Sequence, residues 1–263
     1  MPNTERLSKL ICLKNICRST MLMVSLGLRL TAFAAEPQAA ELAKSIIEKA
    51  DHIRFPKDPF QVDIDILSTA PEAEPEKRKY RILSKGNENT IVQTLEPPSE
   101  RGQSLLMRGR DLWIFIPTLS QPVRLSLSQR LTGQVANGDL ARANFSGDYT
   151  PSLLRTETIG GESYYVLELD AVDRSVTYHR VLYWVNQSDF RPYKAEFYSL
   201  SNRLLKSASY QNFQELGGKQ RPTLVIIEDA LRKGERSSLE YSRLQLRDLP
   251  DKMFTKDYLK RLE

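Results

Sequence analysis

Phe60-Gln61-Val62-Asp63-Ile64-Asp65-Ile66 decides the fold class. Val62, Ile64 and Ile66 alternate with Asp63 and Asp65, the two-residue period of a strand with one face on a core. The two aspartates share the opposite face, which is expected in solvent. Further β runs are expected at Tyr80–Ser84, Thr90–Leu95, Ser104–Met107, Leu112–Ile116, Ser163–Leu169, Tyr178–Val185, Tyr193–Tyr198, Leu204–Tyr210, Thr223–Ile227 and Ser238–Leu246. Gly, Asn, Asp and Pro punctuate them at the spacing of a meander of hairpins.

Working back from Phe60, the period changes. Ala39, Leu42, Ala43, Ile46 and Ala50 recur at helical spacing with Glu41, Lys44 and Glu48 between them, one amphipathic helix ended before Pro56. Working forward, Ser126–Tyr149 breaks the strand rhythm and holds Gly133, Gly138 and Gly147. A connection that long is usually functional or mobile, so it is expected to be loop with short helical pieces, a lid. Leu125, Leu127, Leu131 and Val135 would give it a thin apolar underside, with Gly133 and Gly138 as hinges. Met253, Phe254, Tyr258, Leu259 and Leu262 predict a short closing helix. Many strands, one long initial helix and no βαβ alternation predict a mainly β protein: a large, curved antiparallel sheet whose concave side takes the helix.

The first residues differ from the rest. Arg6, Lys9, Lys14 and Arg18 lead into an apolar stretch, Met21 to Phe33, followed by Ala32-Phe33-Ala34. Basic leader, short apolar run and small-x-small site predict a secretory signal peptide over residues 1–34 and one domain over 35–263. Of 38 basic and 33 acidic residues, the remaining domain keeps 33 and 32, which removes the argument for nucleic acid. Both cysteines, Cys12 and Cys17, fall in the leader. A domain without cysteine suits an oxidising periplasm. Neither cysteine lies in a lipid-attachment context, so a soluble periplasmic protein without stable membrane insertion is expected.

Catalytic constellations are sparse. The two histidines, His52 and His179, stand apart, and no cysteine remains to join them, so neither metal nor cofactor is expected. No G-x-S-x-G elbow, P-loop or Rossmann glycine pattern occurs. Glu168, Asp170 and Asp173 cluster as acids at a strand end do, as solvated turn residues. The chain is therefore expected not to be an enzyme.

What it offers instead is apolar strand surface on both faces. In Leu112-Trp113-Ile114-Phe115-Ile116 both alternating sets are large and hydrophobic, and Leu182 and Trp184 share a strand with Val181, Tyr183 and Val185. A sheet with one wet face alternates more cleanly. The surplus is explained either by helix and loop covering central strands or by a cleft for an apolar ligand. The cleft candidates are Trp113, Phe115, Leu112, Ile114, Trp184, Leu182, Leu127 and Leu131, with Trp113 and Phe115 expected to face the cavity.

Gly109-Arg110-Asp111-Leu112-Trp113-Ile114-Phe115-Ile116-Pro117 resembles the Leu-Trp strand of the LolA-like outer-membrane lipoprotein-sorting proteins, and the run Phe145-Ser146-Gly147-Asp148-Tyr149 is similar to that family too. The resemblance implies a half-barrel sheet closed by helices, holding acyl chains of lipoproteins or lipids, often beside an RND-type exporter. The best-known carriers latch the lid with an arginine followed by proline ahead of the Leu-Trp strand. Here Arg191-Pro192 and Arg221-Pro222 both come after it, so no arginine takes that role. A chain of about 16 carbons exposed to water costs on the order of 10 kcal/mol, so a carrier needs a greasy cleft and no reactive groups. The expected function is ferrying acyl chains toward the outer membrane; the alternative is a non-transferring adaptor of an envelope export complex.

Overall fold

A computed structural model describes residues 32–259, with side chains from Gln38. The expected leader up to Thr31, with both cysteines, and the terminal residues 260–263 lie outside the described residues. The chain divides after Leu42 into two units, and everything below concerns the second, Ala43–Glu263.

Helix α1, Ala32–Arg54, leads into fifteen strands: β1 Phe60–Thr69, β2 Glu76–Lys85, β3 Asn89–Glu96, β4 Ser104–Arg108, β5 Asp111–Phe115, β6 Val123–Leu125, β7 Arg130–Thr132, β8 Val135–Ala136, then helix α2 Asn137–Ala141, β9 Tyr149–Ile159, β10 Glu162–Ala171, β11 Arg180–Asn186, β12 Pro192–Tyr198, β13 Leu204–Leu216, β14 Lys219–Asp229 and β15 Arg236–Leu246. A short helix α3, Lys256–Leu259, follows. Thirteen strands form one antiparallel sheet in the order β6-β5-β4-β3-β2-β1-β15-β14-β13-β12-β11-β10-β9, while β7 and β8 pair separately. The edges β6 and β9 do not meet, so the sheet is not closed into a barrel. Among the described residues no helix is long and apolar enough to cross a membrane.

The first and last strands sit side by side in mid-sheet, where Ile64 lies opposite Tyr80 on β2 and Tyr241 on β15. Cross-strand partners share a face, so one inner face collects Val62, Ile64, Ile66, Tyr80, Ile82 and Leu239. Ala43, Ile46, Ile47 and Ala50 of α1 are fully buried in the same cluster. Burying each isoleucine stabilises by about 1.5–3 kcal/mol. The helix stops at Phe55-Pro56, and the buried Arg221 guanidinium caps its end by donating to the carbonyls of His52 and Ile53 at 2.9 and 3.0 Å.

The opposite face is also covered. Leu83, Ile91 and Leu106 pack with Leu249, Met253, Phe254 and Leu259 of the C-terminal segment, the expected closing helix. Two apolar faces on one strand thus have two different covers. Asp63 corrects an expectation: its side chain is fully buried, held by Arg81 at 2.7 and 3.0 Å and by Arg243 at 3.4 Å. Asp65 is half-exposed and pairs with Lys79.

Residues 126–149 are less irregular than their glycines suggest. They hold β7, β8 and α2, and Leu127, Val135, Ala136, Leu140, Ala141, Phe145 and Tyr149 are buried. The underside is therefore a substantial part of the core rather than a thin one. Gly138 has a packing reason: a Cβ there would lie 2.0 Å from Thr177 Oγ1. Gly133 has φ +48° and would meet Ser68 Oγ at 2.0 Å, so both glycines mark close approach where hinges were expected.

Candidate ligand cavity

The end of α1 carries the site. Asp51 is buried on the inner face, and its carboxylate accepts the backbone N–H groups of Phe145 (3.0 and 3.1 Å) and Ser146 (2.7 Å). One turn on, Arg54 approaches it at 3.7 Å. Burial pushes the Asp51 carboxyl up, against the opposing pull of Arg54 and the two N–H groups. Arg54 lies among aromatic rings, its guanidinium 4.9 Å from Phe145 and 5.3 Å from Tyr210. Phe145 meets Tyr149 and Tyr183 edge-on at 5.6 and 5.0 Å.

Between these groups and the strands is a cavity of about 40 Å³, lined by Arg54, Phe145, Tyr149, Tyr178, Tyr210 and Tyr241 with Val225, Ile227 and Leu239. That space holds on the order of a few waters. Burial raises the hydroxyl pKa of Tyr149, Tyr178, Tyr210 and Tyr241. The tyrosine hydroxyls thus stay neutral at neutral pH, and the ionisable groups on the wall besides them are Arg54, Asp139, Arg142 and Asp148.

Two ion networks hold residues 137–149 over it. Tyr178 donates to Asp139 at 2.7 Å, and Lys206 reaches Asp139 at 3.0 Å and the Gln134 carbonyl at 2.6 Å. Arg142, with a side chain 4% exposed, grips Asp148 at 2.5 and 2.7 Å. It also donates to the Gly109 carbonyl at 2.9 Å and to the carbonyl of Asn87, tying the segment to the β2–β3 and β4–β5 turns. Arg110 adds a second partner for Asp148 at 3.0 Å.

The eight sequence candidates divide. Leu112, Ile114, Leu127 and Leu131 lie on the inner face. Trp113 and Phe115 do not face it, which corrects that expectation: paired through Leu106 on β4, Trp113 joins the opposite face with Phe115, and Lys256 lies 4.2 Å over its ring. Leu182 and Trp184 also lie on the opposite face, Trp184 donating to Glu157 at 2.7 Å with Lys194 at 3.8 Å over its ring. None of the eight lines the cavity. Phe145 and Tyr149 do, and both belong to the run that carries part of the family resemblance. Arg54 gave no signal, because a cation in the last turn of a helix is ordinary. Among the described residues no group of three or more His, Cys, Asp or Glu could hold a metal ion.

A family model described as "Uncharacterized protein" matches residues 86–261. No curated protein matches the chain. Among solved structures, a LolA superfamily protein from Nitrosomonas europaea is 66% identical, covering 82% of this chain and 98% of its own, with a TM-score of 0.80. An outer membrane lipoprotein-sorting protein domain from Vibrio parahaemolyticus is 22% identical over 84% of this chain and 100% of its own, TM-score 0.72. A DUF1329 family protein from Desulfovibrio piger is 19% identical over 84% and 99%, TM-score 0.71. These last two share the fold.

Proposed function

Because the chain belongs to the LolA superfamily, we propose that it carries acyl chains of lipoproteins or lipids through the periplasm, binding them on the inner face of the sheet. In this reading residues 1–34 are an export signal and residues 35–263 form the carrier. The observation that carries it is the cavity of about 40 Å³ between α1, residues 137–149 and β9–β15, whose walls are mostly aromatic and aliphatic. Ligand pockets commonly measure about 300–1,000 Å³, so an acyl chain enters only when the covering segment moves. Asp139 with Lys206, Arg142 with the carbonyls of Asn87 and Gly109, and Asp148 with Arg110 are the contacts such a movement breaks. A ligand opens the segment only by binding the open state better than the closed one.

The role is one of binding rather than catalysis, with delivery toward the outer membrane and an RND-type exporter as the partner the family resemblance suggests. The small size of the closed cavity favours a second reading, a non-transferring adaptor of an envelope export complex. Native mass spectrometry of protein purified from the periplasm, followed by lipid extraction, separates the two. A carrier retains extractable lipid; an adaptor is recovered empty.

A further inference from the structure

The open sheet has two edges of unequal kind. At one end β6 is three residues long and follows Pro122, both of which blunt an edge. At the other, β9 is eleven residues long, its only strand neighbour is β10, and Ser152, Leu154, Arg155, Thr156 and Thr158 are exposed. The β9–β10 hairpin fixes which main-chain groups face outward. Gly160 and Gly161, at φ +61° and +87°, form its two-residue turn, so the flanking pair Ile159 and Glu162 exchanges main-chain hydrogen bonds. Alternation then turns Glu157 and Arg155 toward β10 and leaves the N–H and C=O groups of Thr156 and Thr158 pointing away from it. The other side of β10 keeps the same alternation: Ser163 accepts from Gln187 N–H and Ala171 donates to the His179 carbonyl. Beyond the bulge at Leu154, Pro151 falls on the outward side, where its missing N–H costs no ladder bond. Proline thus guards the first half of the edge. Along residues 153–159, among the described residues, no main-chain hydrogen bond reaches anything but β10.

The charges beside this edge select what fits it. Arg155 and Glu157 stand two apart on the outer face and meet at 2.5 Å, and Glu157 also accepts from Trp184 Nε1 at 2.7 Å. A twofold axis through Thr156 sets Arg155 opposite Glu157 of a second copy, and Glu157 opposite its Arg155. Moving the axis one residue either way sets arginine on arginine or glutamate on glutamate, which is destabilising directly across a strand pair. We infer that two copies of this chain join β9 to β9 as antiparallel strands across that axis, continuing one sheet through both molecules. Thr156 exchanges its free main-chain bonds with its own counterpart. An extended strand of any sequence gains main-chain bonds on such an edge; a second copy adds both charge pairs by symmetry. Residues 153–159 line no part of the inner-face cavity, so the dimer holds or fails independently of the carrier reading.

Sedimentation equilibrium of the purified protein over about 1 μM to 1 mM spans the affinities of small interfaces, and should reach the mass of two chains at the upper end. Thr156→Pro removes an outward N–H and no bond to β10, so it should weaken the dimer about tenfold or more while the monomer melts as before. Arg155→Glu and Glu157→Arg each place two like-charge pairs across the axis, and each should weaken the dimer about tenfold or more. Mixed in equal amounts, these two variants should associate with each other, because every facing pair is again glutamate on arginine. A folding defect does not reverse on mixing, so that arm reads the contact itself. A single-chain mass throughout the range, a dimer that survives Thr156→Pro, or a mixture that stays monomeric overturns the assignment.

Discussion

Arg142→Met removes the side chain that ties residues 137–149 to the sheet. The guanidinium gives up two bonds to Asp148 and two to main-chain carbonyls, those of Asn87 and Gly109, all in a site where both side chains are 4% exposed. Methionine fills similar volume, so the cost is mostly electrostatic. Asp148 keeps Arg110 at 3.0 Å, but the part-buried carbonyls of Asn87 and Gly109 are left without this donor. Breaking a buried ion pair from one side costs about 3–5 kcal/mol. For a domain of this size that lowers the melting temperature by about 6–20 °C. Circular dichroism melts and urea titrations measure the loss. Combined with Asp148→Asn, the double variant should lose less than the sum of the singles, by about 0.5–3 kcal/mol of coupling. A loss under about 1 kcal/mol, or strict additivity, would show that the pair behaves like an exposed one. The reasoning about how the segment is held would then be wrong.

Gly138→Ala places a methyl 2.0 Å from Thr177 Oγ1, and should cost about 1–3 kcal/mol in a thermal melt, partly recovered by adding Thr177→Ala. Ile46→Ala opens a hole between α1 and the inner face where Ile46 is 1% exposed, and should cost about 2–5 kcal/mol by urea denaturation. For pH, burial raises the Asp51 carboxyl, so the folded chain holds that proton more tightly than the unfolded chain. Its stabilising contribution is present below the ordinary carboxylate value of about 4 and is lost as pH rises through the raised value. Asp51→Asn cannot titrate, so its stability relative to the unaltered protein should improve as pH rises from about 4 through the raised value in paired urea titrations. The opposite slope would mean that Arg54 and the two N–H groups outweigh burial.

By itself the sequence determined the elements, because period is a local property. The helical spacing from Ala39 to Ala50 and the alternation at Val62–Ile66 need no distant partner to be read, and both elements are present. Strand β9 escaped because it is an edge: most of its side chains are exposed, so its composition is not that of a core strand. What alternation cannot say is which face receives which cover. Leu112 and Trp113 are equally apolar, yet one meets the inner face under α1 and the other the C-terminal segment, a choice made by chain that comes more than a hundred residues later. Asp63 looked solvent-bound because its partners Arg81 and Arg243 are neighbours only after β1 pairs with β2 and β15. Arg54 resembles any cation closing a helix until tertiary packing surrounds it with Phe145, Tyr183 and Tyr210, withdraws water and leaves its Nη1 without an acceptor.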